Sequence, residues 1–382
     1  MLIAGTNGKG SVAAMVAESL RAAGYRTGRY TSPHLTHLEE RFAVDGTPVE
    51  AARLDAALAR VRETAGALAA PPTYFEATTA AAFELFREAR VDVAVLEVGL
   101  GGRLDATNVV DPVAAAITSI DLDHTAQLGP DVAAIAGEKA GVIRPGIPVV
   151  FARNPPEARE VVAAAAAAVG ARLIEPARDT EVAAVMSDGR ATLTAATPHR
   201  RYERVRLGLR GRYQVDNALV ALRLLEELAG GAAPALGAAA IRAGLERAVW
   251  PARLELRSWQ GHDVLLDAAH NAAGARALAA HLAETYGRRL PVVLAVMRDK
   301  AVDEMLTALA PAASHFAVTS VASSRALPAE QLAARARAMA PGVPVHVDTD
   351  AGQALARAVS WGSPVVVAGS LHLAGEIRPQ LT

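Results

Sequence analysis

The 382-residue sequence contains no cysteine, which removes disulfides, thiolate zinc sites and cysteine nucleophiles together. A reducing compartment fits that absence. Charge imbalance is lacking too: the formal net charge is −1, so no whole-protein field holds a polyanion, and nucleic acid is a poor partner. No stretch approaches the roughly 18 uninterrupted apolar residues of a membrane span. The first residues show neither the basic region nor the cleavage site of a signal peptide. The chain reads as cytosolic, with no membrane partner.

What is present describes a well-buried globular protein. Hydrophobic residues make up 52% and charged residues 21%, a balance that argues against disorder. The length exceeds what one hydrophobic core usually serves, so two domains are expected. VDVAVLEV (91–98), VAAAITSI (113–120) and IPVVFA (147–152) have the character of buried parallel strands. In SVAAMVAESLRAAG, Val12, Met15, Val16, Ser19 and Leu20 share one helical face, and Gly24 closes the helix. The class is α/β.

Residues 181–209 break the rhythm and predict a small antiparallel insertion turning at Asp188-Gly189. Helices are expected at about 213–229 and 236–249. WPARLE (250–255) serves as a linker. Beyond it DVLLDA, PVVLAV, HFAVTS, PVHVD and PVVVAG alternate with alanine-rich helical segments, predicting a second parallel sheet.

The opening GTNGKGS (5–11) fails the common phosphate-loop pattern, because Gly10 separates Lys9 from Ser11. Glycines at 5, 8 and 10 nevertheless let backbone N–H groups turn toward an anion at a helix start. Lys9 supplies a point charge and Ser11 a hydroxyl for phosphate or metal. The plain alternative is a glycine-rich turn with a solvated lysine. Later strand ends weigh against it. Glu97 ends one strand, Asp121, Asp123 and His124 follow the next, and Glu138, Lys139 and Arg144 come after that. In a doubly wound sheet these ends face one crevice, and carboxylate, imidazole and lysine together suit a magnesium–phosphate site.

GTNGKGS, TSPHLTHLEERF, TYFEATT, LEVGLGGRLDATN, DHTAQLG, GEKAGVIR and LDAAHN, taken in order, resemble the folylpolyglutamate synthase/dihydrofolate synthase branch of the Mur ligase superfamily. The likeness continues through MRDKAVDEML and GSLHLAGEIR. It implies an α/β fold: a P-loop parallel-sheet ATP-binding domain over 1–250, then a smaller Rossmann-like glutamate-ligase domain over 251–382. It implies an ATP-dependent ligase joining L-glutamate to a folate carboxylate, either a tetrahydrofolate or a dihydropteroate.

Carried over by position, Asn7, Gly8, Lys9, Gly10 and Ser11 would cradle the ATP phosphates. Ser32, Glu97 and His124 would hold one magnesium ion, and a carbamylated Lys139 a second. Asn217, Arg253 and Asp267 match nucleotide contacts, with His270 near the phosphate. Thr73, Tyr74, Phe75 and Glu76, with Leu104, Asp105 and Ala106, match pterin-site positions. Lys9, His124, Lys139 and His270 are thus the expected catalytic residues. The resemblance further implies a monomer whose second domain closes over the crevice.

The chemistry supports these roles. A carboxylate and an amine condense only after the carboxylate becomes an acyl phosphate, and charge neutralisation at the transferring phosphoryl dominates that step.

Two departures stand out. Relatives carry a few dozen residues before the glycine loop, including a helix on the folate side, whereas here only Met1 to Ala4 precede it. A stub of first strand, an incomplete pterin pocket and reduced stability relative to an extended chain are therefore expected. Relatives also often carry glycine where this chain has Ala268, which predicts a local backbone adjustment without change of activity. The alternatives are a Mur-type ligase acting on another acid, and an ATP-binding scaffold without turnover. Retention of Lys9, Ser32, Glu97, His124 and Lys139 argues against the scaffold.

Overall fold

The computed structural model describes all residues, Met1–Thr382. Its strands are β1 (Leu2–Ala4), β2 (Thr27–Tyr30), β3 (Phe42–Val44), β4 (Thr47–Pro48), β5 (Val93–Glu97), β6 (Ala115–Ile117), β7 (Pro148–Phe151) and β8 (Arg172–Ile174) in a first sheet. β9 (Glu181–Ser187), β10 (Arg190–Ala196) and β11 (Arg201–Arg210) form a three-stranded sheet. β12 (Glu255–Trp259), β13 (His262–Leu266), β14 (Leu290–Leu294), β15 (Ala313–Val318), β16 (Val345–Val347) and β17 (Val365–Ala368) form a third.

Contacts divide the chain into two compact units. One comprises Met1–Val185, Thr192–Gly208 and Gln214–Val249; the other comprises Met186–Ala191, Leu209–Tyr213 and Trp250–Thr382.

In the first unit the strand order is β4-β3-β2-β5-β1-β6-β7-β8. β1 has only three residues, yet it lies at the centre, pairing in parallel with β5 and β6. Leu2, Ile3 and Ala4 are fully buried. So short a strand suffices because both edges are paired and both faces covered. The expected parallel character holds for β2, β5, β1, β6, β7 and β8, whereas β3 and β4 add an antiparallel edge that turns at Asp45-Gly46.

The first-unit helices are α1 (Lys9–Ala22), α2 (Ala51–Ala65), α3 (Tyr74–Ala89), α4 (Thr125–Leu128), α5 (Val132–Ala140), α6 (Pro156–Ala168), α7 (Pro176–Asp179), α8 (Gln214–Ala229) and α9 (Ala238–Arg247). α1 is buried continuously from Gly10 to Ala17. It packs on α9 with no room to spare: a Cβ on Gly244 would sit 2.0 Å from Ser19 Oγ and 2.4 Å from Ser19 N. The helix behind the glycine loop therefore draws its stability from packing.

The insertion turns where expected, with Asp188 and Gly189 both at positive φ (52° and 71°), the requirement of a tight two-residue hairpin. In the second unit, order β12-β13-β17-β14-β15-β16 is parallel except for β12, which runs antiparallel to β13 along one edge. The linker WPARLE thus runs into an edge strand. The helix after β13 is α10 (Ala272–Tyr286).

Candidate functional site

The loop after β1 is tied down by the chain leaving β6. Thr6 N–H donates to the Ser119 carbonyl at 2.7 Å, and Thr118 Oγ1 donates to the Asn7 carbonyl at 2.7 Å. Gly5 has no alternative at its position, since its φ is 145° and a Cβ would lie 1.9 Å from Thr118 Oγ1. Gly8, at φ 91°, is the N-cap of α1, and no side chain caps that helix. No N-cap side chain thus satisfies a first-turn N–H group, an arrangement suited to an anion.

Two lysines converge on one carbonyl of this loop. Lys9 Nζ donates to Gly5 O at 3.1 Å and to Thr6 O at 3.2 Å, while Lys139 Nζ from α5 donates to Gly5 O at 2.8 Å. Lys139 is 3% exposed. Burial, and then the nearby Lys9, push its amine down from 10.5 to about 7, with Asp123 and Asp105 pulling the other way. Close to neutrality this amine is available in part as a free base, unlike an ordinary lysine.

Glu97 ends β5 next to β1 and is buried. Its Oε2 accepts from Ser32 N–H at 3.2 Å, bringing Ser32 and Glu97 together. His124 is the N-cap of α4 at φ 52°, with Nε2 3.9 Å from Asp123 Oδ1. No group of three or more His, Asp or Glu side chains is preassembled as a metal cage.

The expected pterin-site residues do several different things. Thr73 and Glu76 form a reciprocal cap at the start of α3, with Thr73 N–H donating to Glu76 Oε2 at 2.7 Å and Glu76 N–H to Thr73 Oγ1 at 3.2 Å. Phe75 packs beside Tyr30, their ring centres 6.0 Å apart, and leaves Gly99 no space for a side chain. Tyr74 is exposed and carries the Arg41 guanidinium 5.3 Å above its ring. Asp105 is taken up by its own loop: Oδ2 accepts from the N–H groups of Gly99 and Leu100, and Oδ1 from Thr107 N and Oγ1. Its neighbour Leu104 is 80% exposed, an apolar side chain offered to solvent.

α8 brings Asn217 against the glycine loop, so close that a Cβ on Gly8 would come 2.4 Å from Asn217 Oδ1. Sequence reasoning missed the residue beside it: Gln214 Nε2 donates to Ser11 Oγ at 3.2 Å. The available signal was its position three residues before Asn217, on the same helical face. Arg41 was missed as well. It donates to His34 Nδ1 at 3.0 Å, and HLEERF had drawn attention to the segment without assigning it.

The second unit holds its own set. Asp267 follows β13, fully buried, and accepts from Leu254 N–H at 2.9 Å and Ala269 N–H at 2.8 Å. Burial raises its carboxyl pKa, opposed by Arg253 and by those two N–H groups. Ala252 and Leu254, on either side of Arg253, adopt φ of 52° and 47°. Such backbone costs energy for an aliphatic residue and persists because Glu255 and Asp267 bind the N–H groups of Ala252 and Leu254. Ala268 is accommodated without positive φ, its N–H donating to Ala252 O at 2.9 Å. His270 Nδ1 lies 2.8 Å from the Ala268 carbonyl, which can only accept, so Nδ1 carries the proton.

Comparison with known proteins agrees with this geometry. Residues 3–225 match the Mur ligase middle domain and residues 252–371 the Mur ligase glutamate ligase domain. The dihydrofolate synthase/folylpolyglutamate synthase of Mycobacterium tuberculosis is 41% identical over 353 residues, covering 87% of this chain and 72% of the relative. That of Bacillus subtilis is 38% identical, covering 82% and 75%. A solved structure of M. tuberculosis folylpolyglutamate synthase complexed with ADP and AMPPCP superposes with a TM-score of 0.92 at 37% identity, covering 99% of this chain and 90% of that one. E. coli FolC in complex with DHPP and ADP gives 0.89 at 31%, covering 99% and 87%. With both Mur ligase domains in order and identity of this level along most of its length, the chain belongs to the folylpolyglutamate synthase/dihydrofolate synthase family of Mur ligases.

Proposed function

We propose that this protein is an ATP-dependent ligase that joins L-glutamate to the carboxylate of a folate, a tetrahydrofolate or a dihydropteroate, by way of an acyl phosphate. One observation carries the reading: an uncapped glycine loop at the start of α1, with Lys9 and the buried Lys139 both drawn to the Gly5 carbonyl. Amides of Asn7, Gly8, Lys9, Gly10 and Ser11 bind the ATP phosphates, and the Lys9 ammonium balances charge gathering on the γ-phosphoryl oxygens. The folate carboxylate attacks that phosphoryl group, ADP leaves, and the glutamate amine then displaces phosphate from the acyl carbon.

Lys139 has a second task. As a free base its amine attacks carbon dioxide and releases one proton, turning into a carbamate anion. Magnesium supplies charge neutralisation at the phosphates when bound, and Ser32, Glu97, His124 and the carbamate of Lys139 would hold two ions. Tyr74, Phe75 and the loop buckled by Asp105, with Leu104 and Ala106 on it, face the pterin; Thr73 and Glu76 fix the start of α3 beneath them. Asn217, Arg253 and Asp267 contact the nucleotide, with His270 toward its phosphates. A monomer in the cytoplasm, with an ATP-binding domain over 1–250 and a glutamate-ligase domain over 251–382, completes the reading. No helix is long and apolar enough to cross a membrane.

Phosphate release from ATP, magnesium and L-glutamate tests it, with dihydropteroate and tetrahydrofolate added separately. Stimulation by either is expected. The absence of stimulation by both, with release restored by a different carboxylic acid, would overturn the folate reading while leaving the ligase.

A further inference from the structure

Gln214 has no role in the scheme above, yet it is fully buried at the first residue of α8. A buried amide needs partners for its oxygen and its N–H groups. Asn217 Nδ2, one helical turn on, donates to Gln214 Oε1 at 2.9 Å, which takes up the oxygen end of the Gln214 amide. The other end is therefore a donor, and it reaches Ser11 Oγ at 3.2 Å. With one Oγ lone pair engaged by that N–H, the Ser11 proton is turned away from Gln214. Ser11 itself lies in the uncapped first turn of α1.

We propose that Gln214 is a positioning residue that holds the Ser11 hydroxyl as a hydrogen-bond donor toward the nucleotide's phosphate oxygens. The proposal rests on the ATP reading. It makes one turn of α8 responsible for two features of the loop: Asn217 limits residue 8 to glycine, and Gln214 orients residue 11. Glu at position 214 reverses the polarity, since its carboxylate accepts a hydrogen bond from the Ser11 hydroxyl and adds negative charge. Met keeps the length and removes both bonds of the amide, that to Ser11 and that from Asn217, and the Ser11→Ala background separates the two.

Calorimetric binding of ADP with magnesium to the full chain tests this in the unsubstituted protein, Gln214→Met, Gln214→Glu, Ser11→Ala and the double variant Ser11→Ala/Gln214→Met, each checked for folding by thermal melting. Gln214→Met is expected to weaken binding about fivefold, the scale of one neutral hydrogen bond. Gln214→Glu should weaken it further. In the Ser11→Ala background Gln214→Met should change affinity less than about twofold, because the pair acts as a unit. Equal losses in both backgrounds, or no loss in either, would overturn the proposal. If Gln214→Met does not fold, Gln214→Asn, too short to reach both partners, replaces it in the same cycle. Failure of the unsubstituted protein to bind ADP would instead overturn the ATP reading and the proposal with it.

Discussion

Two loops, β1–α1 in one unit and β13–α10 in the other, leave the same backbone groups to be satisfied. In each, a buried parallel strand ends and a helix begins within a few residues, so first-turn N–H groups have no helical carbonyl. The β13–α10 loop supplies its own cap: Asn271 takes the first-turn N–H of Gly274 at 2.8 Å, and Asp267 holds the loop itself through the Ala269 N–H. The β1–α1 loop supplies none from a side chain at its cap and places glycine there. What surrounds it is cationic, with Lys9 and Lys139 on one carbonyl. In α10 one first-turn N–H is taken up by Asn271, whereas the start of α1 keeps no such cap and has two lysines beside it, a setting suited to an anion.

Breaking the first loop should affect function and spare stability. Lys9→Met is expected to lower turnover by about 10²–10³-fold, as loss of one preorganised charge at a transition state does. Its melting temperature without nucleotide should be unchanged, and a clear drop would mean that the lysine is structural. Removing the packing behind that loop has the opposite signature. Gly244→Ala forces a methyl group onto the Ser19 backbone and should cost about 1–3 kcal/mol in denaturant unfolding. A neutral result would show that α1 and α9 separate easily.

In the second loop the cap itself is at stake. Asn271→Ala should cost about 1 kcal/mol of stability, the usual worth of an N-cap. Unchanged unfolding would remove the contrast between the two loops. The last expected effect is a slope, seen only on acidification. His281 on α10 is held down to about 4 from 6.5 by burial, then by Arg210, against Glu284. The folded form binds fewer protons there than the unfolded chain, so this contribution is complete above pH 6.5 and is lost as pH falls toward 4. His281→Leu should flatten stability against pH across that window; an unaltered slope would assign the acid sensitivity elsewhere.

Much of this was legible beforehand because it is local. Strand cores such as VAVLE and PVVF show themselves as continuous apolar runs, and the Asp188-Gly189 turn by residues that tolerate positive φ. The antiparallel edges β3–β4 and β12 were not foreseen, since pairing direction at a sheet edge leaves little trace in periodicity. The division of labour at the pterin-site positions was hidden as well. TYFEATT does not reveal that Thr73 and Glu76 bind each other while Tyr74 remains exposed.

By itself the sequence determined the α/β alternation, the glycine loop and the ordered strings that carry the family, because each is written within a dozen neighbouring residues. Only the tertiary structure decided that Lys139 reaches Gly5, that Thr118 excludes any side chain at Gly5, and that Gln214 meets Ser11. Those contacts join residues more than a hundred positions apart. They exist because β1 lies between β5 and β6 and because α1 lies beside α8, arrangements set by burying two faces of one sheet rather than by any local preference.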